Sequence, residues 1–121
     1  MVKLDHLGLY VADPRRSADF YVRNFGFAIE MEAPGGEMIA IKDDAEFTIF
    51  LGRDPERAAL AACDLFLQVD DVEMKHRELT AAGVAFAKPP EKLFWGYGAE
   101  LLDHDGYRVH VWDEKSMREK G

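Results

Sequence analysis

The sequence contains a single cysteine, Cys63, which excludes an internal disulfide and leaves no CxxC pair to hold zinc. Cys63 itself reads as a small, buried or half-buried residue. No apolar run approaches the roughly 20 residues needed to cross a bilayer, so no membrane contact is expected. Basic residues are not in excess: 15 Lys and Arg against 23 Asp and Glu give a formal charge of −8, and the cations are scattered. Nucleic acid is not expected as a partner, because phosphate binding needs a basic stripe. Low-complexity segments are absent, and a hydrophobic share of 48% argues against disorder. Hydrophobic alternation is under way by Leu4, leaving no room for the charged and apolar regions of a secretory signal. A cytoplasmic location and a small-molecule partner are the remaining expectations.

What is present is a weak internal repeat, dividing 121 residues near Ala61 into two modules of one domain. Residues 5–13, DHLGLYVAD, lie over residues 63–71, CDLFLQVDD. Leu7 falls over Leu65, Leu9 over Leu67, Val11 over Val69 and Asp13 over Asp71. Each stretch alternates like a half-buried strand and ends in Asp, a residue that caps helix starts. In the first module Asp13 is the N-cap and Pro14 sits at N1. Ala18, Tyr21, Val22 and Phe25 then form an i, i+3, i+4, i+7 stripe, and Gly26 stops the helix. In the second, Asp71 caps, Val72, Leu79 and Ala82 give the apolar face, and Gly83 is the stop.

Three short strands are expected after each helix, at 27–32, 37–42 and 46–52, then at 84–87, 98–102 and 107–112. The order is βαβββ twice, an α+β class, with module one at about 1–60 and module two at about 62–115. PGG, DDAE and DHDG supply turn chemistry, KPPEK at 88–92 reads as a loop, and the charged tail at 113–121 as a frayed end.

LDHLGLYVADPRRSADFYVRNFGF at 4–27 and WGYGAELLDHDGYRVHVW at 95–112 carry a resemblance. The chain resembles the vicinal oxygen chelate superfamily, which includes glyoxalase I, extradiol dioxygenases, methylmalonyl-CoA epimerase, and fosfomycin- and bleomycin-resistance proteins. The resemblance implies two βαβββ modules forming an open, cup-shaped mixed sheet, and a homodimer. In metal-dependent members it implies ligands on the first and last strands of each module, here His6, Ile49, Asp64 and His110. Three of these can bind metal. His6, Asp64 and His110 form the expected shell for a divalent ion such as Fe, Mn, Ni or Zn, Ile49 leaving the fourth corner to water or substrate. The family has glutamate where this chain has His110.

A period of two puts Tyr10 beside His6, Phe66 and Gln68 beside Asp64, and Arg108 and Trp112 beside His110. The opposite face carries Leu7, Leu9 and Val11, Leu65, Leu67 and Val69, and Tyr107, Val109 and Val111, a helix-facing core. The mixed polar and aromatic face is expected to line a cleft. A strand histidine is more often structural than a ligand, and Asp64 reads equally as a surface acid. His76 and His104 are expected to be structural or exposed. Arg108 and Gln68 anchor a substrate, or Arg108 pairs with Glu100. Trp95 and Trp112 stack a planar ligand or shield a rim.

Two function classes follow. One is a metal-dependent enzyme, of lyase, isomerase or dioxygenase type, in which the ion polarises two adjacent oxygens and Glu100 transfers a proton. The other is a protein without metal that sequesters a ligand, as the bleomycin-resistance resemblance implies.

Overall fold

A computed structural model describes residues Met1–Gly121, which divide into two compact units, Met1–Ala61 and Ala62–Gly121. The first runs β1 (His6–Val11), α1 (Pro14–Phe25), β2 (Ala28–Glu32), β3 (Met38–Lys42), β4 (Thr48–Arg53) and α2 (Pro55–Ala58). The second runs β5 (Asp64–Gln68), α3 (Val72–Ala81), β6 (Phe86–Leu93), β7 (Gly96–Leu102), β8 (Arg108–Trp112) and α4 (Glu114–Lys120). Each unit builds one open four-stranded mixed sheet, ordered β1-β4-β3-β2 and β5-β8-β7-β6. The outer first strand of each sheet pairs in parallel with the last, and the other pairings are antiparallel. The expected βαβββ order is present twice. No helix is long and apolar enough to cross a membrane.

Three aspartates recur at matching places in the two units, each accepting backbone N–H groups that would otherwise lack partners. Asp13 and Asp71 cap α1 and α3, accepting from the Arg16 N–H at 3.2 Å and the Met74 N–H at 3.0 Å. Asp43 and Asp103 organise the turns before β4 and β8. Asp43 Oδ1 accepts from the N–H groups of Ala45 and Phe47, and Asp103 Oδ1 from those of Asp105 and Tyr107, all at 2.9 Å. Asp54 and Asp113 follow the last strands and cap α2 and α4. At the other end of α1, Gly26 adopts φ 72°, and the N–H groups of Gly26 and Phe27 return to the carbonyls of Val22 and Tyr21.

The buried faces are those the alternation implies, except that Leu7, near the start of the edge strand β1, is exposed. Leu9, Val11, Ile39, Ile41, Ile49 and Leu51 pack with Ala18 and Tyr21 in the first unit, and Leu65, Leu101, Val109 and Val111 with Val72 and Leu79 in the second.

Two local expectations need correcting. KPPEK is not a loop but lies within β6, because β6 is the edge of its sheet, where a missing proline donor breaks no ladder. Register shifts at Phe86/Lys88 and Lys88/Glu91 absorb the irregularity. The charged tail is not frayed along its length: Asp113 caps it, and α4 packs on β7 with Met117 against Gly96.

Asp113 does more than cap. Its Oδ1 accepts the Ser116 N–H at 2.7 Å, while its Oδ2 accepts the Ser116 hydroxyl at 3.0 Å and the Val72 N–H, the first residue of α3, at 2.7 Å. Burial alone would raise this carboxyl, but the hydrogen bonds from Ser116 and Val72 outweigh it and hold it below its ordinary 3.8. Its contribution to stability is therefore complete above 3.8 and lost as pH falls through the lower folded value. Asp113→Asn is expected to cost about 1–3 kcal/mol at pH 7 in denaturant titrations. The gap to the wild type should close on acidification below 3.8, whereas a gap constant with pH contradicts this role.

Candidate functional site

In the second unit the ladder registers bring four chemistry-bearing side chains together. The parallel pairing sets Phe66 beside His110 and Asp64 beside Arg108, and the antiparallel pairing of β7 with β8 sets Glu100 opposite His110. Leu65, Val109 and Val111 turn to the core, so Asp64, Phe66, Glu100 and His110 share the other face.

His110 is the centre of this group and is 3% exposed. Phe66 stacks on its ring at 4.3 Å and 15°, and Trp95 stands edge-on to both rings, 5.5 Å from His110 and 5.2 Å from Phe66. Nε2 lies 3.3 Å from Asp64 Oδ2, a long hydrogen bond, and Nδ1 lies 3.4 Å from Glu100 Oε1. The Glu100 oxygen is within ion-pair reach but outside hydrogen-bond geometry, so the buried Nδ1 has no hydrogen-bond partner. A neutral imidazole has one N–H and can serve only one of these carboxylates, whereas the imidazolium can serve both. Phe66, by contrast, leaves 51% of its surface open while resting on a buried ring.

In the first unit His6 lies on β1, with its ring stacked on Phe50 at 4.4 Å and 18°. Its Nδ1 is 3.0 Å from Asp5 Oδ2, a contact that holds the Asp5 carboxyl below its ordinary value. Tyr10 is exposed on the same strand, with the Arg57 guanidinium 4.7 Å above its ring. Ile49, expected at the fourth corner of the site, is instead buried in the helix-facing core, and Phe50 takes its place. In the run Ile49-Phe50-Leu51 apolarity is continuous and gives no phase. Pairing with β1 supplies it, setting Phe50 opposite Gly8.

The remaining candidates fall as follows. Gln68 and Trp112 are register partners at the end of the β5–β8 ladder. Arg108 is exposed beside Asp64 and forms no ion pair with Glu100, which faces His110. His76 packs edge-on against Phe86 at 4.6 Å, a structural contact.

Within neither unit do three His, Cys, Asp or Glu donors converge on a point suited to a metal ion. Asp64 and His110 supply two donors in the second unit, His6 one in the first, and Phe50 none. A catalytic zinc takes three protein ligands, so neither unit's own residues complete such a shell.

One residue that alternation did not single out is Gly98, on β7. A Cβ there would meet the Val111 carbonyl oxygen and lie 2.5 Å from Trp95 Cη2, so the indole needs a glycine to rest on. Glycine inside a strand, two positions from an acid and three from a tryptophan, was the available signal. Gly98→Ala in a Trp112→Phe background is expected to shift Trp95 emission to the red and to lower stability by about 1–3 kcal/mol. An unchanged spectrum would show that the indole does not need this seat.

Comparison with known proteins adds family and fold. The description "Glyoxalase/Bleomycin resistance protein/Dioxygenase superfamily" matches residues 3–111. Comparison with curated proteins gave no match. Among solved structures, the chain is similar to TnmS3, an antibiotic binding protein from Streptomyces sp. CB03234, at 25% identity and TM-score 0.75, covering 93% of this chain and 96% of that one. It is similar to a possible glyoxalase from Bacillus cereus at 19% identity and TM-score 0.77, covering 92% and 98%. A lactoylglutathione lyase from Agrobacterium tumefaciens is 19% identical with TM-score 0.71, covering 91% and 92%. With a family match that takes in both βαβββ modules and nearly the whole sequence, the chain belongs to the Glyoxalase/Bleomycin resistance protein/Dioxygenase superfamily.

Proposed function

We propose that this protein binds a planar aromatic small molecule on the second unit's open sheet face, with Phe66 as the platform. The observation that carries this reading is the layered arrangement of an exposed Phe66 on a buried His110, both braced by the edge of Trp95. A large aromatic surface left open on a rigid base is an unpaired stacking face. Asp64 and the Nε2 of His110 offer polar contacts at its edge, and Arg108 and Gln68 lie on the same face. The similarity to an antibiotic binding protein supports a small-molecule ligand.

A second reading has its own support. The 3.3 Å between His110 Nε2 and Asp64 Oδ2 is long for a hydrogen bond and is the separation two donors have when they share an ion. On that reading Asp64 and His110 are two ligands of a divalent metal, and Glu100 is the proton-transfer residue of an enzyme. The ion would supply Lewis-acid polarisation of two adjacent substrate oxygens. The protein's own part would be to orient the substrate and exclude water. Either way the chain is proposed to act as a homodimer, supported by β2, an edge strand whose five residues are all exposed, Ile29 and Met31 among them.

The readings separate in one set of titrations. Phenazine, a planar tricyclic probe, is expected to quench Trp95 emission saturably, and Phe66→Ala to weaken its binding at least tenfold, while Zn(II), Mn(II), Ni(II) and Fe(II) leave the melting temperature unchanged. Stoichiometric metal uptake with a raised melting temperature, abolished by His110→Ala, would favour the metalloenzyme. Phenazine affinity unaffected by Phe66→Ala would overturn the platform.

A further inference from the structure

The charged helix that ends the second unit is docked by one methionine. We propose that Met117 is a redox latch: oxidation of its thioether to the sulfoxide by a peroxide releases α4 from β7 and loosens the seat of Trp95. Hydrogen peroxide passes one oxygen atom to the sulfur. An S–O bond forms as the O–O bond breaks, the sulfur loses two electrons, and the reduced peroxide leaves as water. A thiol-dependent reductase removes that oxygen as a second water and restores the thioether.

α4 has seven residues and none of them is buried. Isolated helices shorter than about 12 residues are marginal in water, so this one exists by docking. Asp113 holds its first turn. At the far end Lys120 lies 3.8 Å from Glu73 Oε1 and 4.9 Å from the centre of the Tyr97 ring, whose hydroxyl donates to the same oxygen at 2.6 Å. The Lys120 and Glu73 side chains are both substantially exposed, so this pair is a weak, solvent-screened hold. Docking of the helix body falls to Met117.

The seat is closed on two sides by backbone. The Met117 sulfur and methyl group fill the space that a Cβ at Gly96 would take, and a Cβ at Gly121 would lie 2.8 Å from the sulfur. Gly96 adopts φ 143°, a conformation that side chains rarely allow. The thioether is thus clasped between two glycines, neither of which has a side chain that could move aside. An S–O oxygen enlarges this group and makes a flexible apolar side chain polar, which a close-fitting seat does not accommodate. Met117 is only half-buried, so a peroxide reaches it from solvent. The seat leads to the ligand face, because Gly96 follows Trp95, whose indole rests on Gly98 and braces Phe66 and His110. The effect on a ligand rests on the reading of Phe66 as a platform, whereas the latch itself does not.

The test is treatment of the full chain with hydrogen peroxide, with the oxidised methionines located by peptide mass spectrometry and amide exchange of residues 117–121 followed by NMR. Oxidation at Met117 is expected to lower protection of these amides at least tenfold and to shift Trp95 emission to the red in a Trp112→Phe background. Incubation with a methionine sulfoxide reductase should restore both. Met117→Leu should keep α4 docked and make both readouts indifferent to peroxide, which separates Met117 from the exposed Met31 and Met74. Met117→Gln, polar and of similar length, should undock α4 without peroxide. Phenazine should bind at least threefold more weakly to the oxidised protein. If phenazine does not bind the untreated protein, the platform reading fails, and exchange and Trp95 emission still decide the latch. Protection unchanged with Met117 fully oxidised, an equal loss in Met117→Leu, or a Met117 that stays reduced while Met31 and Met74 are oxidised would each overturn the proposal.

Discussion

The structure depends on carboxylates that accept backbone N–H groups at the ends of its elements. Asp13, Asp43 and Asp54 in the first unit do what Asp71, Asp103 and Asp113 do in the second. The paired turn aspartates matter most for the site, because each holds two N–H groups of the turn that leads into the last strand of its sheet. That turn sets the register of β4 on β3 and of β8 on β7, and a slip of one residue would send every side chain to the other face. With the register held, His110 has to meet Glu100 and Phe66, and Phe50 has to meet Gly8. Part of the acidic excess is thus structural.

On this shared scaffold the two units carry different faces. Each stacks a histidine on a phenylalanine, but with the residues exchanged between strands: His6 on the first strand with Phe50 on the last, and Phe66 on the first with His110 on the last. The consequences are unequal. His110 is buried between two carboxylates and serves as a base for an exposed ring, whereas His6 remains on the surface beside Asp5. A repeat that fixes backbone geometry and leaves the inner side chains free to differ is how one fold hosts many sites.

Much of the fold was legible because its signals are local. The aspartate caps, the glycine stops and the alternation of β1, β5 and β8 each name a position without reference to distant residues. The site was less so. Ile49 and Phe50 could not be ordered, because the apolar run Ile49-Phe50-Leu51 of β4 offers no change of polarity from which to count. Glu100 stood out as a spare acid, but its meeting with the Nδ1 of His110 is a matter of antiparallel register, set by the turn at Asp103. Prolines 89 and 90 spoke against a strand, and only the edge position of β6 makes them harmless. The tail's charge concealed a helix that Asp113 starts and Met117 anchors.

The most direct measurement is of intermolecular nuclear Overhauser effects between phenazine and the aromatic ring protons of the protein at saturation. The account predicts contacts from the probe to the exposed face of the Phe66 ring and to Trp95, with none to the buried Val109 and Val111 methyls beneath the sheet. Contacts confined to residues other than Phe66 and Trp95, or none at saturating probe, would contradict it.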